Sequence, residues 1–121
     1  MRFLLTLSLL LAIVGARAES IRMLVQSSPL AGSQYYAVGD QWNRMQVGDT
    51  LTLVREADNS HDRNAIRVDW QGHKLGYLPR AENRAVAAAM DAGERVFGRI
   101  ARLTDHPNPW RRVEVEVYVE L

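Results

Sequence analysis

The last strand-length segment of the chain, residues 112–120, alternates valine with mostly charged residues. The valines stand at every second position, as Val113, Val115, Val117 and Val119. Successive side chains of a β-strand point to opposite faces, so a period of two places all four valines on one face. A strand with one apolar and one charged face is typical of an antiparallel sheet. The segment therefore predicts a sheet that is buried on one side and solvated on the other.

Most of the remaining chain divides into short apolar segments separated by turn residues. Pro29, Gly32 and Ser33 mark one break, and Gln71-Gly72 marks another. The stretch 105–110 contains two prolines, which lack the N–H donors that a central strand needs, so it is predicted to be a loop. The predicted strands cover residues 21–25, 34–38, 50–55, 65–70, 74–78, 96–103 and 112–120.

One helix is expected between the predicted strands. Its apolar residues recur at helical spacing, and Gly93 stands where a left-handed C-cap belongs; these residues are Ala85, Val86, Ala89 and Met90. The whole order predicts a mainly β fold of the α+β type. We expect a small OB-like or SH3-like β-barrel of about six strands, with one helix after the fifth strand.

Residues 1–18 have the features of a secretory signal peptide. Arg2 precedes an apolar run over residues 3–14, and the tripeptide Ala16-Arg17-Ala18 follows with small residues at both ends. The run is shorter than the roughly 20 residues that a membrane-spanning helix needs. We therefore predict cleavage after Ala18, a single mature domain at residues 19–121, and export to the bacterial periplasm or beyond it.

Cleavage would change the charge of the protein. Removing Arg2 and Arg17 lowers the basic residues from 15 to 13 against 14 acidic ones, so the net charge falls from +1 to −1. Strong non-specific nucleic-acid binders usually have a clear basic excess, which the mature chain lacks. The chain also has no cysteine, which excludes disulfides, thiolate zinc sites and thiol nucleophiles.

The middle of the chain carries a set of short motifs. They are Asp58-Asn59, Asp62-x-Asn64-Ala65-Ile66, Leu75-Gly76-Tyr77-Leu78-Pro79 and Asp91-x-Gly93. Together they resemble the HIRAN domain, and the resemblance extends over residues 32–119. In helicase-like DNA-repair proteins that domain is a small β-barrel that grips the 3′ end of single-stranded DNA. The resemblance therefore implies a barrel that binds DNA ends.

The resemblance also implies two aromatic residues that stack on the terminal bases. Tyr35, the first member of the pair Tyr35-Tyr36, stands at the first aromatic position. His61 occupies the second position, where a tyrosine is expected, and a neutral imidazole can still stack on a base.

Polar positions follow from the same resemblance. Asp62 matches an aspartate that accepts a hydrogen bond from the terminal hydroxyl, and Arg80 and Tyr77 stand at positions that meet phosphate. Gln34 replaces an expected arginine, so one charge-assisted contact becomes a neutral one. The complete candidate site comprises Gln34, Tyr35, His61, Asp62, Tyr77 and Arg80.

Metal and catalytic sites are poorly supported. The polar residues at 58, 60, 62 and 64 are spaced like the first ligands of a calcium loop, but Arg63 occupies the position that requires glycine. The three histidines lack the short spacing of zinc ligands. Neither a nucleophile elbow nor a phosphate-cradling glycine loop occurs. We predict no cofactor, no metal and no enzymatic activity, since a hydrolase would need a metal or base that the sequence does not place.

Two functions stay open at this level. The first is recognition of single-stranded DNA 3′ ends by an exported, stand-alone domain. The alternative is docking on a protein or another envelope component, for example by addition of a strand to the edge of the sheet. The near-neutral charge and the exported address favour the alternative, and the motifs favour DNA.

Overall fold

The computed structural model describes residues 21–121, so the predicted signal peptide at 1–18 lies outside the described residues. The strands in this range are β1 (Arg22–Pro29), β2 (Thr50–Arg55), β3 (Ile66–Trp70), β4 (His73–Tyr77), β5 (Arg95–Leu103) and β6 (Val113–Glu120). The helices are α1 (Val38–Gln41) and α2 (Arg84–Asp91), with 3-10 turns at Ser33–Tyr35 and Pro109–Arg111.

All strand pairs are antiparallel, in the order β1-β6-β5-β2-β3-β4. The chain just beyond β1 joins the other end of this order, because Ala31 and Tyr77 exchange backbone hydrogen bonds of 2.8 and 3.0 Å. This bridge joins the segment just beyond β1 to β4, the strand at the other end of the order, so the sheet closes into a small barrel. The mainly β, OB-like fold predicted from the sequence is confirmed.

The barrel interior is filled by the apolar faces of the strands. The four valines of β6 are buried and its intervening residues are half-buried, as the period of two predicts. Trp70 lies in the same core and satisfies its indole N–H by donating to Asp49 Oδ2 at 3.0 Å. Each buried valine or leucine contributes about 1.5–3 kcal/mol relative to an exposed one. The core therefore stabilises a fold that has no cysteine to cross-link.

The predicted strand at residues 34–38 is wrong. Gly32, with a φ of 75°, turns the chain immediately after the barrel closure, and Tyr35 N–H then donates to the Gly32 carbonyl at 3.0 Å. Ala37 N–H next donates to the carbonyl of Lys74 on β4, and α1 follows. The chain must cross the end of the barrel here. Local turns therefore satisfy its backbone N–H and C=O groups, which a strand would pair with a neighbouring strand. Helix α2 consequently follows the fourth strand, not the fifth, and the first strand extends to Pro29.

Helix α2 ends as the sequence predicts. Gly93 has a φ of 86°, and the N–H groups of Gly93 and Glu94 donate to the carbonyls of Met90 and Ala89. Val86 and Ala87 are buried against the core. Neither α2 nor any other helix in residues 21–121 is long and apolar enough to cross a membrane.

Gly76 is required where the barrel closes, and this gives a first prediction. A Cβ atom at Gly76 would collide with the carbonyl oxygen of Ala31, which belongs to the closing bridge. We expect Gly76→Ala to lower the free energy of unfolding by about 1–3 kcal/mol, the usual cost of overpacking a tight site. Urea denaturation measures this loss.

Gly39→Ala is the matched control, because a Cβ at Gly39 in α1 meets no atom within 4 Å. The control should be neutral or slightly stabilising, since alanine favours a helix over glycine. Equal losses in the two variants would show that the barrel closure is not the tight point.

Candidate functional site

The loop between β2 and β3 is held by its own polar side chains. Asn59 Oδ1 accepts the backbone N–H groups of His61 and Asp62 at 2.9 and 3.2 Å. Asp62 Oδ1 accepts the N–H of Asn64 at 2.9 Å. Asparagine and aspartate form such short-range turns readily, because their side chains reach the backbone two or three residues on. The loop is therefore ordered, and it presents His61 and Asp62 to one side.

The second oxygen of Asp62 is also engaged. Asn83, which is 1% exposed and precedes α2, donates from Nδ2 to Asp62 Oδ2 at 2.7 Å. Burial by itself would raise the pKa of Asp62, yet the hydrogen bonds from Asn83 and Asn64 and the charges of Arg80 and Arg55 hold that pKa below its ordinary value. Asp62 is thus an ionised acceptor at neutral pH.

A second carboxylate, Glu56, joins three structural elements. Its Oε1 accepts the hydroxyl of Tyr77 at 2.9 Å and Asn59 Nδ2 at 3.1 Å, and its Oε2 accepts a guanidinium N–H of Arg67 at 3.0 Å. Burial would raise the pKa of Glu56, but the hydrogen bonds from Asn59, Tyr77 and Arg67 lower it. The hydroxyl of Tyr77, predicted to meet phosphate, is therefore bonded to Glu56.

Aromatic rings line the side opposite this loop. The rings of Tyr36 and Tyr77 meet edge to face, with centroids 6.1 Å apart. Lys74 Nζ lies 4.1 Å from the centroid of Tyr36 and 4.7 Å from that of Tyr77. The ammonium group is thereby held by cation–π attraction to both rings.

These two sides enclose a pocket of about 270 Å³. Its lining residues are Ala31, Tyr36, Asn59, His61, Asp62, Ala65, Tyr77, Leu78 and Arg80. A polar recess of about 320 Å³ adjoins it and shares His61, Asp62 and Arg80, with Ser60, Arg63 and Asn64 completing the lining. The site thus has an apolar part with aromatic rings and a polar part with two arginines.

The structure gathers four of the six sequence-predicted residues into the pocket: His61, Asp62, Tyr77 and Arg80. Tyr35 is 77% exposed on the neighbouring 3-10 turn, and it lies with Gln34 outside the pocket lining. Tyr36 lines the pocket instead. Asn59, which is part of a family-like motif, also lines the pocket, and Lys74 lies against two of the lining rings.

The basic residues around the motifs differ in how far their charge is available. Arg55 pairs with Asp91, and Arg67 pairs with Glu56 and Asp69. Within residues 21–121, no hydrogen bond or ion pair engages the side chains of Arg63 and Arg80. Positive charge is therefore free at the polar recess, where both arginines lie.

A larger cavity of about 420 Å³ lies along the β5–β6 loop beside Trp110, and none of the six predicted residues lines it. Arg102 and Glu114 in its lining pair with each other at 2.8 Å. Across the part of the chain that the structure describes, no three His, Asp or Glu side chains are grouped to hold a metal ion. The smaller pocket remains the candidate site, because it combines stacking surfaces, an ionised acceptor and an unpaired arginine.

A closed antiparallel barrel with a preformed pocket at its side defines a small β-barrel binding domain. The chain belongs to the HIRAN domain family, whose family model matches residues 23–121. It is similar to a protein of known structure from Lactobacillus plantarum, with 28% identity, coverage of 84% of this chain and 98% of that one, and a TM-score of 0.75.

The HIRAN domain of human HLTF shares the fold at 20% identity, with a TM-score of 0.61 over 84% of this chain and 77% of that one. A search of the curated proteins finds no match.

The lowered pKa of Asp62 predicts a dependence of stability on pH. A carboxylate whose folded-state pKa lies below the unfolded value stabilises the fold above the unfolded value, and this contribution is lost as the pH falls through the folded-state pKa. We expect Asp62→Asn to unfold about 1–3 kcal/mol more easily than the wild type at pH 7, because Asn83 loses its charged acceptor. This difference in stability should shrink as the pH falls below 3.8, the ordinary pKa of an aspartate. Urea denaturation at several pH values measures it.

Asp58→Asn provides the control in the same loop, because the exposed Asp58 accepts no side-chain hydrogen bond among residues 21–121. Its stability should match that of the wild type at pH 7. A difference between wild type and Asp62→Asn that is independent of pH would contradict the assigned role of the charge.

Proposed function

We propose that this domain binds single-stranded DNA and recognises its 3′ end in the pocket between Tyr36, Asp62 and Arg80. One observation carries the proposal: an aromatic surface, an ionised acceptor and an unpaired guanidinium line a single concave site. Membership of the HIRAN family adds support. A base stacks on the aromatic surface, a sugar hydroxyl donates to the ionised acceptor, and a phosphate binds the guanidinium.

The aromatic part of the pocket suits a base. Its volume of about 270 Å³ is slightly below the range of about 300–1,000 Å³ that is usual for drug-sized ligands. A single base is therefore a better fit than a larger group. Stacking on an aromatic side chain contributes about 1–3 kcal/mol per base and tolerates any sequence. Tyr36 provides the ring, and His61 lines the pocket from the loop side.

The carboxylate of Asp62 suits a hydroxyl at the end of the strand. Each of its oxygens accepts one hydrogen bond within the fold, so each has a further lone pair for a ligand donor. A terminal 3′ hydroxyl is such a donor, whereas a 3′ phosphate would place negative charge against an ionised carboxylate. This contrast is the basis of end recognition.

Few cations are available for phosphate, so binding should depend only modestly on salt. Arg63 and Arg80 line the polar recess, and neither forms an ion pair within residues 21–121. The charge of Lys74 is already engaged by two tyrosine rings. Two phosphate contacts on a single strand predict a slope of about −1.4 for log Kobs against log salt concentration. The net charge of −1 expected for the cleaved chain argues for the same modest dependence.

Fluorescence-anisotropy titration with short single strands tests the function. The wild type should bind a free 3′ hydroxyl more tightly than a 3′ phosphate. Tyr36→Ala should weaken binding roughly 5- to 150-fold, the equivalent of one lost stacking contact. Arg80→Gln should weaken binding and reduce the salt slope by about 0.7.

Arg84→Gln is the matched control, because Arg84 is exposed on α2 and lies outside both the pocket and the polar recess. It should bind as the wild type does. Equal affinity of the wild type for the two kinds of end would exclude end recognition, and equal losses in the two arginine variants would exclude this site.

A second function, docking of a protein, has its own observation in the structure. Among residues 21–121, β1 has a strand partner on one side only, and its first half exposes Met23, Leu24 and Val25 beside Ile21. Just one charged residue, Arg22, lies in this edge, although charges are a usual protection against pairing. An extended segment of an envelope protein would add to such an edge. Absence of DNA binding by the wild type would favour this function.

Export forms part of the proposal. The apolar run at 3–14 and the tripeptide ending at Ala18 support it, and β1 begins at Arg22 and the family match at residue 23. Cleavage after Ala18 would therefore leave the whole domain intact. The domain would then meet DNA outside the cytoplasm, as free strands.

Mass spectrometry of cell fractions from a bacterial host tests the export. The periplasmic or secreted protein should begin at Glu19. Replacing Ala16 and Ala18 by leucine should leave the precursor uncleaved, because signal peptidase requires small residues there. Recovery of the uncleaved wild type from the cytoplasm alone would contradict export.

A further inference from the structure

Glu56 connects the two sides of the pocket without lining it. It follows β2 directly, and its side chain is 20% exposed. On one side it accepts the hydroxyl of Tyr77, which belongs to β4. On the other side it accepts Nδ2 of Asn59, which belongs to the loop. The same oxygen, Oε1, takes both bonds, so the tyrosine and the asparagine converge on one atom.

The bond to Asn59 fixes the orientation of its amide. With Nδ2 donated to Glu56, the Oδ1 of Asn59 points the other way and accepts the N–H groups of His61 and Asp62. The backbone N–H of Asn59 also donates to the carbonyl of Glu56 at 3.1 Å. Glu56 therefore acts on the loop through Asn59, and the loop carries the acceptor for the ligand.

The bond to Tyr77 fixes the ring on the opposite side. Tyr77 meets Tyr36 edge to face, and both rings hold Lys74, so the position of Tyr77 also determines that of the stacking surface. Arg67 donates to Glu56 Oε2 and is itself held by Asp69. The carboxylate is thus anchored from β3 while it holds β4 and the loop.

We propose that Glu56 is a positioning residue for DNA-end binding, and that its carboxylate sets the separation between the aromatic side of the pocket and Asp62. This inference rests on the proposed function. A base stacked on Tyr36 places its sugar at a defined distance, so a hydroxyl reaches Asp62 only if the two sides keep their spacing. Glutamine at position 56 would keep the size of the side chain but lose the charge that receives Tyr77, Asn59 and Arg67 together.

The test uses Glu56→Gln, Tyr77→Phe and the double variant of the full protein. Glu56→Gln should bind a short strand with a free 3′ hydroxyl roughly tenfold more weakly, which is the loss expected for a charge-assisted hydrogen bond. Its preference for hydroxyl over phosphate ends should fall as well. Tyr77→Phe keeps the ring and removes the bond, and the double variant should lose little more than Glu56→Gln alone. If the loss of binding free energy in the double variant equals the sum of the two single losses, Glu56 and Tyr77 do not act through one shared bond, and the proposal is overturned.

Asp49→Asn controls for a general effect on the fold. Asp49 also accepts two hydrogen bonds, from Gln46 N–H and the Trp70 indole, but it lies at the opposite end of β2. This variant should keep both the affinity and the preference for hydroxyl ends. Equal changes in Asp49→Asn and Glu56→Gln would overturn the positioning role.

A measurement without DNA separates this inference from the proposed function. Amide hydrogen exchange of His61 and Asp62, followed by NMR, should be roughly tenfold faster in Glu56→Gln and unchanged in Asp49→Asn. If exchange is faster in Glu56→Gln but the wild type binds no single strand, Glu56 keeps its role in the pocket and DNA is rejected as the ligand. Unchanged exchange and unchanged binding in Glu56→Gln would overturn the inference while the DNA function stands.

Discussion

The backbone bridge between Ala31 and Tyr77 is the constraint on which the rest of the structure depends. It joins the two ends of a six-stranded sheet, so that apolar faces which would otherwise meet water enclose a core. It also requires Gly76, since any side chain there would strike the Ala31 carbonyl. The pocket is a direct product of this closure, because Ala31, Tyr36 and Tyr77 reach its lining from the two joined ends.

Two carboxylates then organise the pocket by different means. Asp62 faces the ligand space while the backbone of Asn64 and the side chain of Asn83 hold it. Glu56 stays outside the lining and links the loop to β4. In both cases hydrogen bonds overcome the cost of burial and keep the group ionised. An ionised acceptor that is already held in place needs little reorganisation when a hydrogen-bond donor binds, and this favours recognition.

The strands and the loop could be predicted because they depend on local patterns. The valines of β6, the C-cap at Gly93 and the turns made by Asn59 and Asp62 involve residues a few positions apart. The strand predicted at 34–38 failed because tyrosine and valine favour strands in general, whereas the chain here has to cross the barrel end. In the turn that forms instead, Tyr36 lines the pocket and Tyr35 is exposed beside it.

The sequence by itself determined that the valines of β6 are buried, where the polar loop forms and which family the motifs resemble, because periodicity and short-range hydrogen bonds are properties of neighbouring residues. Only the tertiary structure decided that Tyr36 lines the pocket with Lys74 against its ring, and that Glu56 joins Tyr77 to Asn59. The bond from Glu56 to Tyr77 spans 21 residues along the chain. Its existence depends on strand register and on the closure of the barrel, and neither of these is a property of any single segment.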